Sequence, residues 1–194
     1  GPVQGIQQWS TKRWDAKSRA RKAGEYGEQY RYVCPNRRCG HLEAAPVTRG
    51  IGDVIDWDVR GPRFGDGRQD RKEFEPYVPA TRHRVQVGLD RFGGKPFIIT
   101  HRKNCTASSL DDPIGTLSAQ GGNHHSLVRP AATVDECEVR PLTLGEKAAA
   151  QGFPAHHILA GTETQQKLQI GNAVPVNVAQ WLASRIHSAL EAAA

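Results

Sequence analysis

Four cysteines, Cys34, Cys39, Cys105 and Cys137, are the side chains best suited to nucleophilic or metal chemistry. Cys137 lies between Glu136 and Glu138, whose negative charges raise a thiol pKa and suppress the thiolate. Cys105, in Asn104-Cys105-Thr106, has no catalytic partner near it in sequence and reads as a loop thiol. Cys34-Pro35-Asn36-Arg37-Arg38-Cys39-Gly40-His41 reads instead as half of a zinc ribbon, because such a knuckle presents two thiolates from a tight turn. A closed structural zinc site needs four ligands. His41 is a candidate third, but the more consistent completion is a second cysteine pair from upstream of Gly1; the alternative is two free buried cysteines. The irregular cysteine spacing argues for reduced thiols rather than a disulfide framework.

A second polar cluster, Gln120-Gly121-Gly122-Asn123-His124-His125, follows Thr116-Leu117-Ser118. Two glycines allow close approach of the backbone to a ligand, and the amides and imidazoles offer hydrogen-bonding groups of the kind that read base edges. In isolation the same segment is a polar hairpin loop with a structural threonine.

The elements that must hold these residues are legible in outline. Tyr30-Arg31-Tyr32-Val33 alternates like a strand and runs into Cys34-Pro35, where the proline forces a turn. Residues 50–78 are glycine-, proline- and acid-rich loop. Val85, Leu89 and Phe92 mark one face of a helix from Pro79 to Phe92, stopped by Gly93-Gly94. Pro96 to Thr100 is a short apolar strand, and the stretches 116–118 and 126–128 are irregular strands bracketing the glycine loop. Thr143-Leu144-Gly145-Glu146 is a capping box that starts a helix ending at Gly152-Phe153-Pro154. Val174, Val178, Trp181, Leu182, Ile186 and Leu190 form an apolar stripe on a last helix, with Pro175 in its first turn.

Composition narrows the function classes. The 194 residues suit one domain or two small ones. No apolar run approaches the ~18 residues of a membrane span, so no membrane partner is expected and a cytoplasmic location in a bacterial or phage setting fits. The chain opens Gly1-Pro2 and holds no methionine, which reads as the remnant of a cleaved tag. Net charge is +6, and residues 1–39, with nine Lys/Arg against three Asp/Glu, hold the whole excess. With Trp9, Trp14, Tyr26, Tyr30 and Tyr32 interleaved, that segment suits phosphate contact and stacking, or else a solvated tail.

Two longer strings carry a resemblance. Arg140-Pro141-Leu142-Thr143-Leu144-Gly145-Glu146-Lys147-Ala148-Ala149-Ala150-Gln151-Gly152-Phe153-Pro154 resembles motif IX of the cytosine-5 DNA methyltransferases, with Ala149 where that family usually has arginine. Downstream, Gly171-Asn172-Ala173-Val174-Pro175-Val176-Asn177-Val178-Ala179 resembles motif X. Asp112-Pro113-Ile114-Gly115-Thr116-Leu117-Ser118-Ala119-Gln120-Gly121-Gly122 is similar to the end of that family's target recognition domain. The resemblance implies an α+β chain in three parts: a basic segment with half a zinc ribbon (1–39), a target recognition domain of short strands and loops (40–135), and C-terminal helices (136–194) that complete a Rossmann-like methyltransferase domain. It further implies DNA contacts by Thr116, Leu117, Gln120, Gly121, Gly122, Asn123, His124, His125 and Arg102. Gly171, Asn172, Ala173 and Val174 would close one side of an S-adenosylmethionine pocket, the turn offering N–H groups to the cofactor.

Methylation at C5 of cytosine needs a base flipped from the stack and a thiolate that adds at C6. The family's Pro-Cys-Gln, Glu-Asn-Val and Phe-x-Gly-x-Gly strings do not occur in this sequence. No catalytic residue is therefore assigned, and the chain alone is expected to be inactive. The expected function is the DNA-reading part of a methyltransferase of phage or actinobacterial type, in a restriction-modification setting. Its expected partners are double-stranded DNA and a catalytic half bearing motifs I to VIII. The alternative is a stand-alone sequence-specific DNA-binding module.

Overall fold

A computed structural model describes residues 5–10, 14–15, 20–21, 29–40, 42–44, 48–102, 105–119 and 124–193. It divides into two compact units, Gly1–Thr48 and Arg49–Ala194.

In the first unit β1 (Ile6–Trp9) pairs antiparallel with β4 (Tyr30–Val33), Trp9 opposite Tyr30. Between them β2 (Trp14–Asp15) pairs with β3 (Ala20–Arg21). The Trp9 and Tyr30 rings meet at 5.1 Å, a cross-strand aromatic pair that helps fix the register. After β4 the chain turns through a single 3-10 turn, Arg37–Cys39, and returns alongside: Cys34 N–H donates to Leu42 O at 2.8 Å and Ala44 N–H to Tyr32 O at 2.7 Å. Tyr32 and Cys34 before the cysteine turn are thus bonded to Ala44 and Leu42 after it.

The second unit is a four-stranded antiparallel sheet ordered β6-β5-β7-β8, from β5 (Phe97–Thr100), β6 (Ala107–Ser109), β7 (His125–Arg129) and β8 (Glu138–Pro141). Alternation along the strands divides the core in two. Phe97, Ile99, Val128 and Val139 face α1 (Pro79–Phe92) through Val85, with Phe64, Val134 and Cys137 filling the ends. Ile98 and Leu127 face the other way, onto Ile51, Ile55 and Leu142. Helix α1 lies close to its sheet because Gly88 has no side chain: a Cβ there would stand 2.1 Å from the Phe97 ring. Each fully buried Phe, Ile or Leu of this core is worth roughly 1.5–3 kcal/mol against exposure.

Three helices follow. Helix α2 (Leu144–Ala150) begins at the expected capping box, Thr143 Oγ1 accepting from Glu146 N–H at 3.1 Å. Helix α3 (Glu163–Asn172) was not anticipated, although Thr162-x-x-Gln165 forms its own capping box. Helix α4 (Val176–Ala193) carries the expected apolar stripe. The architecture is a mixture of helix and sheet, as the α+β expectation had it. The flank at 116–118 differs from expectation: those residues adopt no regular strand, while 126–128 do. Among the described residues no helix is long and apolar enough to cross a membrane.

Candidate functional site

The site is built on a buried ion pair. Arg140, on β8, and Glu146, on α2, are almost without solvent exposure and meet through two hydrogen bonds of 2.6 and 2.8 Å. Every remaining polar direction is filled: Arg140 also donates to Val59 O and Asp56 O, and Glu146 accepts the N–H groups of Asp56 and Thr143. Burial alone would push the Glu146 carboxyl up, but Arg140 and the two backbone donors outweigh it and hold the group below the usual carboxylate range. Arg140 and Glu146 of the motif IX string thereby lock α2 to the sheet edge and to the 56–59 loop. Ala149, standing where the family usually has arginine, takes no part in this pair.

The two motif strings meet directly. Val176 N–H donates to Gln151 O at 2.9 Å, and Gln151 Nε2 donates to Ile170 O at 3.4 Å. The start of α4 is therefore tied to the end of α2. Gly171 and Asn172 form the last residues of α3, with Ala173 as its cap, rather than the first residues of the helix that follows. Gly171 is pressed against the loop before β7: a Cβ at this position would lie 2.4 Å from Ala119 N and 2.8 Å from Ser118 C. Only glycine permits that approach. Asn172 and Val174 are exposed and Ala173 half-buried. The Val176 N–H at the start of α4 is already bonded to Gln151, and Val178 N–H bonds Asn177 Oδ1 at 3.0 Å. Of the four residues expected to border a cofactor pocket, Asn172 and Val174 are thus open to solvent and Ala173 partly so, while Gly171 is turned toward the loop.

The loop itself is braced from β5 and β7. Thr116 O accepts from Arg102 Nη2 at 3.3 Å and lies 3.2 Å from His125 Nε2. A carbonyl can only accept, so Nε2 carries the proton and Nδ1 accepts from Thr100 Oγ1 at 3.1 Å. Burial lowers the His125 pKa; the bond to Thr116 O opposes this, while Arg102, His124 and Lys147 add to it. The net direction favours the neutral ring. His101, bonded to Ser126 Oγ at 2.9 Å, has a pKa lowered first by burial and then by Arg84, His124 and His125. Arg84 holds the turn beyond β5 through Arg102 O and Cys105 O. The Thr116 side chain is left exposed and Leu117 half-buried.

Between this loop and the ends of α2 and α3 lies a cavity of about 260 Å³, lined in part by Leu117, His124, His125, Lys147, Lys167 and Gly171. Residues expected to touch DNA and one expected to touch the cofactor therefore share a single wall. Thr116 and Arg102 stand beside it through the Thr116 carbonyl. Gln120, Gly121, Gly122 and Asn123 lie outside the described residues, as does His41. Lys147 and Lys167 were not anticipated. Lys147 sits inside the motif IX string among alanines, and only the packing of α2 beside α3 brings it to Lys167.

The thiols of Cys137 and Cys39 are both raised above their ordinary pKa. Cys137 is wholly buried in the α1 face of the core and donates to Thr133 O at 3.3 Å. Its pKa is raised first by burial and only then by Glu136 and Asp135, so desolvation outranks the neighbouring charges expected from sequence. Cys34 is buried and Cys39 exposed; the Cys39 thiol is raised by a hydrogen bond with Cys34 and by that neighbour's charge. The two thiols are therefore near enough to influence one another across the turn. Among the described residues no group of three or more His, Cys, Asp or Glu is placed to hold a metal.

Comparison with known proteins finds relatives among DNA methyltransferases. Over 53 residues the chain is 47% identical to the Type II methyltransferase M.HindV of Haemophilus influenzae, covering 27% of this chain and 17% of that protein. It is 40% identical over 63 residues to M.HgiDI of Herpetosiphon aurantiacus, covering 32% and 20% of the two chains. A longer match, 27% identical over 148 residues, joins 75% of this chain to 29% of the Type II methyltransferase M.MspI of Moraxella sp. The chain thus spans under a third of the length of each of these relatives. No solved structure matches it. Residues 9–188 match the family model described as C-5 cytosine-specific DNA methylase, and the chain belongs to that family.

Proposed function

We propose that this chain is the C-terminal, DNA-target-recognising part of a cytosine-5 DNA methyltransferase. It gives S-adenosylmethionine-dependent methylation of cytosine C5 only together with a catalytic part bearing motifs I to VIII. In this reading residues 40–135 recognise the target and residues 136–194 close the catalytic domain, a division of roles that leaves β8 in the common sheet. The names of the relatives, all Type II methyltransferases of bacteria, favour a restriction-modification setting and a bacterial or phage source.

The observation that carries the reading is the uncovered stripe of α4. Trp181, Leu182, Ile186 and Leu190 are 45–66% exposed on one helix whose first turn is tied to the motif IX helix. Apolar surface of this extent on an otherwise well-packed unit marks an interaction face. The Rossmann-like sheet of a catalytic half is the occupant expected from the family. That half would supply the nucleophilic thiolate and most of the methyl donor's pocket; this chain's own buried Cys137 is unsuited to attack. The chain's part is to orient the DNA through the Thr116 loop and to close one edge of the cofactor pocket through Asn172 to Val174.

Cys34 and Cys39 fit two of the four ligands of a structural zinc centre, so the remaining two would come from elsewhere. Equilibrium dialysis against zinc checks this, with C39S expected to lose the uptake.

Reconstitution tests the main reading. The chain is mixed with a catalytic part carrying motifs I to VIII, tritiated S-adenosylmethionine and a cytosine-containing duplex. Tritium should enter the DNA only when both parts are present. Two folded parts that leave the duplex unlabelled would refute the proposal. Tight, site-specific duplex binding by this chain without a partner would point to the stand-alone module instead.

A further inference from the structure

On the α1 side of the sheet the apolar rows stop short of one end. Ile99, Val128 and Val139 belong to the core, but the next positions on that face are His101, Ser126 and Pro141. A cavity of about 560 Å³ opens over them, between the sheet, the first turn of α1 and the loop at 68–70. All its lining residues belong to the second compact unit and to the described part of the chain.

The lining is electrically balanced. Arg68 and Asp70 cancel through bonds of 2.7 and 3.0 Å, and Glu75 is shared between Arg68 at 3.2 Å and Arg71 at 3.0 Å. Burial pushes the Tyr77 phenol up, Asp70 adding to this and Arg68 opposing it. The His101 imidazole is pushed down by burial, then by Arg84, His124 and His125. Both shifts favour the uncharged form. What faces the cavity is therefore a set of neutral donors and acceptors. Ser126 and Thr81 are each 5% exposed. Ser126 Oγ meets His101 Nε2 at 2.9 Å, whereas the Thr81 hydroxyl opens on the cavity and makes no hydrogen bond among the described residues. Pro62, Val139 and Pro141 form apolar walls, and Tyr77 is fixed by stacking on Phe64 at 4.5 Å.

A phosphate or a metal ion would meet no compensating charge here. A neutral planar ring that both donates and accepts hydrogen bonds would satisfy the hydroxyls, the imidazole and the apolar walls together, since a hydroxyl turns to suit either role. The volume is that of a small-molecule pocket. Nucleobases are the chemical class with these properties.

We infer that this cavity is a nucleobase-binding site, in which Thr81, Ser126 and His101 read the edge of one unstacked base held between the apolar walls. DNA is one source of such a base and a free nucleoside the other. The DNA source rests on the function proposed above; the chemistry of the cavity does not. His101 N–H donates to His124 O at 2.7 Å, and the ring of His125, the neighbour of Ser126, meets the Thr116 carbonyl. The cavity and the Thr116 loop are thus linked through adjacent residues of the same strands. The cytosine to be methylated must reach the thiolate of the catalytic part, so a DNA base held here is a second one.

The test has two arms. In the first, each common 2′-deoxynucleoside is titrated calorimetrically into the full chain. Wild type should bind at least one of them weakly and saturably. T81V, which removes only a hydroxyl without a partner, should weaken that binding about fivefold and leave thermal stability unchanged or raised. V78W, at an exposed position on the rim, should fill the mouth and abolish binding, and it decides the matter if T81V does not fold. No saturable binding by wild type, or unchanged affinity in both variants, overturns the inference. In the second arm 2-aminopurine replaces, in turn, each purine near the target cytosine of the duplex that reconstitution labels. Its emission should rise severalfold with the wild-type pair of parts, as it does when a base unstacks, and not with V78W. A silent duplex beside nucleoside binding overturns the DNA source and assigns the site to free nucleosides. Nucleoside binding with failed reconstitution supports the cavity and sinks the DNA-targeting reading alone.

Discussion

The sheet edge around Arg140 and the outer face of α4 handle their side chains in opposite ways. At the edge, two full charges are buried and every hydrogen-bonding direction is filled from within the chain. On α4, large apolar groups that could be buried remain in solvent, Leu190 at 66% exposure. The contrast separates a region that is complete by itself from one whose packing is deferred. A polar network of the first kind must be closed at once, because an unpaired buried charge costs several kcal/mol. An exposed apolar stripe can wait, because its cost is spread over area and recovered on association.

The sharpest way to break the contrast is to open the closed side. R140A should strand the Glu146 carboxylate and cost about 3–5 kcal/mol of unfolding free energy, read from urea titrations. A loss below about 1 kcal/mol would mean that the network is as dispensable as the stripe. Next in size is G88A, which drives a methyl group into the Phe97 ring and should cost about 1–3 kcal/mol by overpacking.

Acid should distinguish the two regions without mutation. The folded-state pKa of Glu146 lies below its unfolded value, so its contribution is fully present above the unfolded pKa, near 4.3 for a glutamate. It is lost as pH falls through the folded pKa. Denaturation midpoints of wild type and E146Q, measured from pH 7 downward, should therefore converge in acid; parallel curves would contradict the assignment. The smallest effect on stability is expected on α4. L182S and I186S should change unfolding by under about 0.5 kcal/mol, yet prevent reconstitution of methylation with a catalytic part. Destabilisation of the isolated chain by more than that would show the stripe to be packed already.

How much of this was legible depended on how local the cause is. Helix α1 runs from Pro79 to Phe92 as its i, i+4, i+7 stripe indicated, because proline and glycine punctuate it within the same window. Helix α2 followed from one capping box. Helix α3 has an equivalent box at Thr162 and Gln165, but only Leu168 and Ile170 supply its apolar side, too few to register as a period. Strand β1 gave no signal, since its partner lies two dozen residues away and four residues of Ile-Gln-Gln-Trp alternate weakly. β8 runs into the start of the motif IX string, where Pro141 argues against a strand until it is seen at the sheet edge. At the site, Leu117, His124, His125 and Gly171 were named because they belong to short strings with a chemical rationale. Lys147 and Lys167 stand twenty residues apart on two helices, and nothing in either neighbourhood announces the other.

The bare backbone at Gly171 has a mechanical consequence. Since main chain meets main chain there, with no flexible side chain between them to compress, the segment at Ser118 and Ala119 cannot move inward. The close contact limits how near the two segments can come, and a change as slight as one added methyl at position 171 would have to push them apart.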